Sequence, residues 1–321
     1  MGIRSTVALA PSATRALNLI SVLLPSLQLV TDPSLAVALS SWQLQVGPTT
    51  PEPSGALRII QKAWDTPCCE TKAQLLLDSA PDETTKARLL ASREPTSGAW
   101  LKALPLSPIG LKLDNDAILV AVGLRLGCNI CEPHVCACGA QVDAKGCHGL
   151  ACKSSAGRHT RHSQLNDIIW RALHRAQVPA TKEPVGLSRG DGKRPDGITM
   201  IPWARGRSLA WDVTVPDTLA PSHVFNSAQK AGSAAVKAEA SKSLKYASLA
   251  QTHHFIPLAM ETLGAWGPQC SDFISEVGRR ITRVTGEPKE TAYLKQRLSI
   301  AIQRGNAISC RGTLPQEKLF N

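Results

Sequence analysis

No run of apolar residues in this chain is long enough to cross a bilayer. The best candidate, Ala16 to Val30, is interrupted by Pro25 and falls short of the roughly 20 residues that a spanning helix needs. No clear signal-peptide cleavage site follows it, so neither membrane insertion nor secretion is expected and the stretch reads as a core helix. Met1-Gly2 with Thr6 formally matches an acylation pattern, one short enough to arise by chance. Cysteine is too sparse for a disulfide scaffold, with ten in 321 residues, whereas such scaffolds are much shorter and denser in cysteine. Acidic residues are also scarce, 25 against 36 Lys and Arg. Between positions 151 and 210 there are eleven basic side chains and four acidic ones, so seven of the eleven net positive charges fall there. A solvated basic surface is the bland reading. The sharper one is a phosphate-backbone ligand, because cations that neutralise phosphates release counterions.

What is present is an ordinary globular composition, 43% hydrophobic, long enough for one large domain or two modest ones. The expected order is a helical segment over 1–31, a Pro/Ser/Thr-rich linker over 32–60, and a helical lead-in over 61–127. A zinc knuckle over 128–160, a catalytic-type core over 161–310 and a tail over 311–321 follow. Ser163 suits an N-cap, and Leu165, Ile168, Ile169, Ala172, Leu173 and Ala176 recur at helical spacing until Pro179 closes the segment. Two strands are expected at Gly197–Ile201 and Ser208–Val215. A Lys- and Ala-rich helix should cover about Ser227–Leu249, and a last helix Thr291–Arg304, stopped by Gly305. The fold class is α/β of the mixed α+β kind, with a central mixed sheet flanked by helices.

Five cysteines cluster between Cys128 and Cys147, and Cys152 follows. Cys136, Cys138, His148 and Cys152 make a closed set of three thiolates and one imidazole, the composition of structural rather than catalytic zinc sites. Cys128, Cys131, His134 and Cys147 compete as ligands, and free buried thiols are the alternative to zinc. Next comes Gly157-Arg158-His159-Thr160-Arg161-His162, where forked guanidinium groups suit phosphate oxygens, although the segment serves equally to start the following helix.

The sharpest signal is a pair of aspartates. If Pro202–Gly206 form the loop, Ile201 faces Arg207, and counting outward sets Asp196 opposite Asp212. Opposed residues share a face with Cβ atoms about 4.5–5.5 Å apart, and two carboxylates so close require a cation. A hard divalent ion with oxygen ligands at about 2.0–2.1 Å suits them. A slip of one residue would separate them, and Pro-Asp-Gly alone reads as a simple turn. Strand alternation puts Thr214 where many metal nucleases place lysine, so the cation must come from elsewhere. Lys242 and Lys245 on the next helix are the candidates, with Glu239 and Tyr246 nearby at three- and four-residue spacings.

In this order (Cys136, Cys138, His148, Cys152; Arg161-His162; Arg194-Pro195-Asp196; Asp212; Lys242; Lys245-Tyr246) the chain resembles the C-terminal region of non-LTR retrotransposon polyproteins that carry a restriction-like endonuclease. Residues 100 to 250 carry the motifs. The resemblance implies a PD-(D/E)xK-type core that nicks target-site DNA, with Asp196 and Asp212 holding Mg2+ or Mn2+, Lys242 or Lys245 as the catalytic cation, and Asp167 as a further acid on the first core helix. It also implies Zn2+ in the knuckle, and nucleic-acid contacts at Arg158, Arg161, His162, Lys193, Arg194 and Tyr246. Partners would be duplex DNA and element RNA, with no membrane and no small-molecule cofactor, in the nucleus. No polymerase-type Asp-Asp turn is found, so a truncated copy is expected. The competing class is a non-catalytic, zinc-dependent nucleic-acid-binding remnant.

Overall fold

The computed structural model describes residues 34–187 and 194–314. The helical segment expected over 1–31, Lys193 and residues 315–321 of the tail lie outside the described residues. Among those described, no helix is long and apolar enough to cross a membrane. The chain divides into two compact units, one ending at Ala80 and one beginning at Pro81.

The first unit corrects the expected linker. α1 (Ser34–Val46) and α2 (Gln61–Asp78) flank a 3-10 turn at Gly55–Ile59. Trp42 and Trp64 meet edge to face with ring centroids 5.1 Å apart, and the Trp42 indole N–H donates to the Trp64 carbonyl at 2.8 Å. Two indoles bury enough area to anchor a small helix pair. A contact made by two such residues 22 positions apart leaves no periodic pattern, which is why the segment reads as a linker.

In the second unit, α3 (Glu83–Arg93) and α4 (Asn115–Leu126) begin at aspartate N-caps, Asp82 and Asp114, each accepting a backbone N–H. A hairpin, β1 (His134–Val135) with β2 (Gln141–Val142), and the short α5 (His148–Ala151) follow. Then come α6 (Ala156–Arg175), β3 (Ala180–Lys182), β4 (Gly197–Thr199) and β5 (Leu209–Thr214). α7 (Val224–Gln229), α8 (Ser233–Lys245), β6 (His254–Ala259), α9 (Pro268–Thr285) and α10 (Glu290–Arg311) complete the unit.

The main sheet has the order β3-β4-β5-β6, with β5 and β6 parallel and the other pairs antiparallel. The fold is therefore mixed α+β. Alternation along β5 sorts its faces. Leu209, Trp211 and Val213 enter a core built with Leu165, Ile169 and Leu173 of α6, Phe273 and Ile274 of α9, and Leu298 of α10. Asp212 points the other way, toward α8. The β5-to-β6 crossover carries α7 and α8, as a parallel connection requires.

Between β4 and β5 the chain reverses at Arg205 and Gly206, both with positive φ (48° and 71°), and the Arg207 N–H donates to the Ala204 carbonyl at 2.9 Å. Two left-handed central residues match the right-handed twist of a hairpin. Gly197 pairs with Trp211 and Ile198 with Ala210, and Asp196, just before β4, donates its N–H to the Trp211 carbonyl at 2.9 Å.

Two helix boundaries differ from expectation for one reason. α6 begins at Ala156, capped by Ser155 rather than Ser163, and α10 runs through Gly305 rather than stopping there. Gly305 leaves room for Arg161: a Cβ at Gly305 would lie 1.8 Å from Arg161 Cγ. Arg161 is 1% exposed and donates to Asn306 Oδ1 at 2.7 Å and to the Leu150 carbonyl at 2.8 Å. The Asn306 amide donates in turn to the Thr262 carbonyl, and the Thr262 hydroxyl to Asp217 Oδ1. A polar side chain thus packs the first turns of α6, where apolar periodicity is missing. The Lys-rich helix is also shorter than expected, since Gly232 at φ 77° separates α7 from α8.

Gly305→Ala gains about 1 kcal/mol of helix propensity but forces a buried, doubly anchored arginine aside, at a cost of about 1–3 kcal/mol in overpacking plus damage to its hydrogen bonds. Urea denaturation is expected to show a net loss of at least about 1 kcal/mol, and a stabilised variant would refute this account of the α6–α10 packing.

Asp217 supplies a pH test. Burial raises its carboxyl above the ordinary range, partly offset by the hydrogen bonds from Thr262 and Leu219 and by the Arg161 charge. A raised acid binds its proton more tightly in the folded state, so its contribution is full below the unfolded pKa of about 3.9 and is lost as pH rises through the folded value. Asp217→Asn keeps an acceptor for Thr262 and Leu219. Its stability relative to wild type is expected to improve as pH increases over that window, and a pH-independent difference in denaturation midpoint would contradict the assignment.

Candidate functional site

Two sites emerge in the second unit. At the first, Cys136 and Cys138 leave β1, Gly139 turns the chain at φ 85°, and α5 returns His148 and Cys152. The ligand atoms of these four residues lie within 4.8 Å of one another, and among the described residues no other group of three or more Cys, His, Asp or Glu converges so tightly. Cys136 Sγ and Cys152 Sγ are 3.8 Å apart, and Cys138 Sγ is 3.3 Å from His148 Nε2. Zn–S bonds of about 2.3 Å and Zn–N bonds of about 2.0–2.1 Å give tetrahedral edges of about 3.5–3.8 Å, so the donor set fits a closed metal site. The Ala140 N–H, chief among several hydrogen bonds, lowers the Cys138 thiol to about 7, while burial raises that of Cys136.

The competing ligands are engaged elsewhere. His134 bonds the Glu132 carbonyl and the Thr313 hydroxyl, Cys131 donates to the Asp143 carbonyl at 3.3 Å, and burial pushes Cys147 up to about 12. Cys128 is exposed and outside the cluster. The module is bound to the rest of the unit by the Arg161–Leu150 hydrogen bond and by Gly149, where a Cβ would meet Cys310 Cα at 2.8 Å.

The second site is the aspartate pair. β4 leaves the ladder at its first residue, so the Asp196 carboxylate takes the place of a backbone acceptor, with Oδ2 receiving the Val213 N–H at 2.6 Å. His162 Nε2 bonds the same oxygen at 2.9 Å, and that hydrogen bond raises the imidazole pKa, against the effect of burial. Asp196 Oδ1 has no partner among the described residues. Asn166, one turn after His162 on α6, donates to the Asp196 carbonyl at 3.2 Å and accepts the Trp211 indole N–H at 2.8 Å. Gly197 is required by this approach, since a Cβ there would lie 2.0 Å from the Trp211 ring.

Asp212 is 3% exposed. Its Oδ1 accepts from Lys242 Nζ at 2.5 Å, and Lys245 Nζ stands 3.9 Å from Oδ2. Lys245 also donates to the Tyr246 hydroxyl at 2.9 Å. Both carboxylates and the Lys242 ammonium act on His162, so Asp196, Asp212, His162 and Lys242 form one electrostatic cluster. Both acids are engaged within the chain, Asp212 by Lys242 and Asp196 by His162 and the Val213 N–H.

Several expected residues are placed elsewhere. Asp167 does not join the pair; it is held by Arg171 at 2.6 Å and Lys182 at 3.1 Å on the adjoining face of α6. Arg161 is a buried structural link and cannot contact nucleic acid. Tyr246 is 1% exposed, donating to the Arg194 carbonyl at 2.8 Å and packing on Phe255, so it braces the Pro-Asp turn. Arg194 is exposed and paired with Glu183, and Arg158 is exposed on the first turn of α6. Glu239, on the same helix as Lys242, instead caps α9 through the N–H groups of Gln269 and Cys270. Sequence reading missed Asn166 as a partner of the Asp196 backbone; its four-residue spacing from His162 was the available signal.

No protein-family model matches the chain, and no curated protein matches it significantly.

Purified protein is expected to contain one equivalent of zinc by elemental analysis, and Cys138→Ser to lose most of it together with several kcal/mol of stability, on the scale of structural zinc sites. A wild type holding well under one equivalent would exclude the site.

Proposed function

We propose that this chain is a divalent-metal-dependent endonuclease that hydrolyses DNA phosphodiesters, derived from a non-LTR retrotransposon and acting in the nucleus. The observation that supports the reading is that Asp196 Oδ2 accepts the N–H of Val213, the residue after Asp212, while the Lys242 ammonium pairs with Asp212. A Mg2+ ion held there supplies Lewis-acid polarisation of a phosphoryl oxygen and a more acidic bound water.

The chain's own groups have separable tasks. His162 and the Val213 N–H fix Asp196 through Oδ2, leaving Oδ1 for the ion. Asp212, buried on β5, is the second oxygen ligand. Lys242 is the better candidate for the catalytic cation, being 2.5 Å from Asp212 against 3.9 Å for Lys245, which Tyr246 also holds. With Asp212 engaged as an oxygen ligand, Lys242 would face a non-bridging phosphate oxygen, the charge-stabilising role that a preorganised cation fills. The knuckle holds α6 at its start and so positions His162, four residues into the helix from Arg158.

One observation favours a second reading. Lys242 already pairs with Asp212 and His162 with Asp196, so each acid has a partner within the chain, as in a binding module whose acids are vestigial. Plasmid nicking separates the two. Wild type is expected to nick supercoiled DNA in Mg2+, whereas Asp196→Ala and Asp212→Asn each lose on the order of 100-fold or more, about 2.7 kcal/mol, with DNA binding retained. Nicking at the wild-type rate in both variants would overturn the endonuclease, and binding without nicking in wild type would establish the module.

A further inference from the structure

On the face of α6 next to the one that carries His162 and Asn166, a cleft of about 780 Å³ opens between α6, α10 and the edge strand β3. Its charged lining is strongly basic: Arg171, Lys182, Arg297 and Arg304 against Asp167 as the only acid among the described residues. Asp167 is already shared by Arg171 and Lys182. Arg304 is held in place by donating to the carbonyls of Gly110 and Lys112, each at 3.1 Å, which neutralises none of its charge. Arg297 has no hydrogen-bond or ion-pair partner among the described residues.

The cleft does not end there. A second recess of about 90 Å³ shares Ile168, Arg171 and Arg297 with it and adds Arg175, itself paired with Glu290. The cations are therefore strung along a groove. Arg297 and Arg304 stand seven residues apart on α10, about 10.5 Å along the helix axis, and Arg171 and Arg175 are one turn apart on α6. A single small anion would draw such groups to one point. A row of guanidinium forks over the apolar Ile168 and Ala301 suits instead a series of phosphates separated by sugars.

We propose that this groove is a docking track for the phosphate backbone of a nucleic-acid strand, read without regard to base sequence. The choice of nucleic acid over another polyanion rests on the nuclease reading of the neighbouring aspartate pair: Ser163 and Asp167 in the cleft each follow directly in the chain on His162 and Asn166 at that pair.

The experiment uses the full chain in magnesium-free buffer, where no cleavage occurs, with fluorescence anisotropy of labelled single-stranded and duplex oligonucleotides over a range of salt. Arg297→Ala removes a group with no internal partner, and an unchanged melting temperature confirms that it folds. Arg297→Ala is expected to weaken binding several-fold, and Arg171→Ala with Arg297→Ala on the order of tenfold or more. Each should reduce the slope of log affinity against log salt by about 1 per lost contact. Arg279→Ala, an equal charge change on the exposed side of α9, is expected to bind as wild type. The proposal is overturned if the cleft variants bind like wild type, if Arg279→Ala weakens binding as much, or if inorganic phosphate or poly-glutamate competes as well as oligonucleotide. Nicking keeps this result apart from the catalytic reading. Cleft-dependent binding without any nicking leaves the track standing and removes the nuclease, while normal nicking with unaltered binding in the cleft variants does the reverse.

Discussion

A single buried guanidinium organises the larger unit. Arg161 joins α6 to α10 through Asn306 and to the cysteine-rich module through the Leu150 carbonyl, and Gly305 is the space it occupies. A buried arginine is costly unless its donors are satisfied. Here both terminal nitrogens donate while the buried Nε has no partner, its pKa is lowered by burial, and the buried Asp217 opposes that shift. α6 starts at Ala156, four residues after Cys152, so this link joins the start of the helix to the cysteine-rich module.

The same helix serves three purposes on three faces. Leu165, Ile169 and Leu173 bury against the sheet, His162 and Asn166 hold Asp196, and Asp167 and Arg171 line the basic cleft. The helical period turns neighbouring residues toward different surroundings. That explains how a buried core, an acidic pair and a cationic groove coexist within a few ångströms. It also explains the arrangement in which Asp212 pairs with Lys242 and Asp196 with His162 while the adjoining groove carries excess positive charge.

Much of the site was legible in the residues. The spacing of Cys136, Cys138, His148 and Cys152 suggested a ligand set with Cys128, Cys131, His134 and Cys147 in competition, and the fold brings together the first four. The expected loop put Ile201 opposite Arg207, whereas Arg207 faces Ala204 across a tight Arg205-Gly206 reversal, and the ladder pairs Gly197 with Trp211. The errors share a cause. Arg161 looked like a phosphate contact and Gly305 like a helix stop, since each makes sense only with the other, 144 positions away in the chain. Tyr246 looked like a surface residue because nothing nearby in sequence reveals that the Pro-Asp turn covers it. Trp42 and Trp64 likewise form a small core that neither signals alone.

The sequence by itself determined the local chemistry: which residues are able to bind metal, where strands alternate, and which stretch is basic. These depend on spacing over a few residues, where backbone geometry is fixed. Only the tertiary structure decided which charges are buried, which lysine meets Asp212, that Asp167 belongs to the groove rather than the pair, and that cations from α6, β3 and α10 line a common cleft. Those outcomes depend on distances between elements far apart in the chain, which side-chain packing sets and no local pattern encodes.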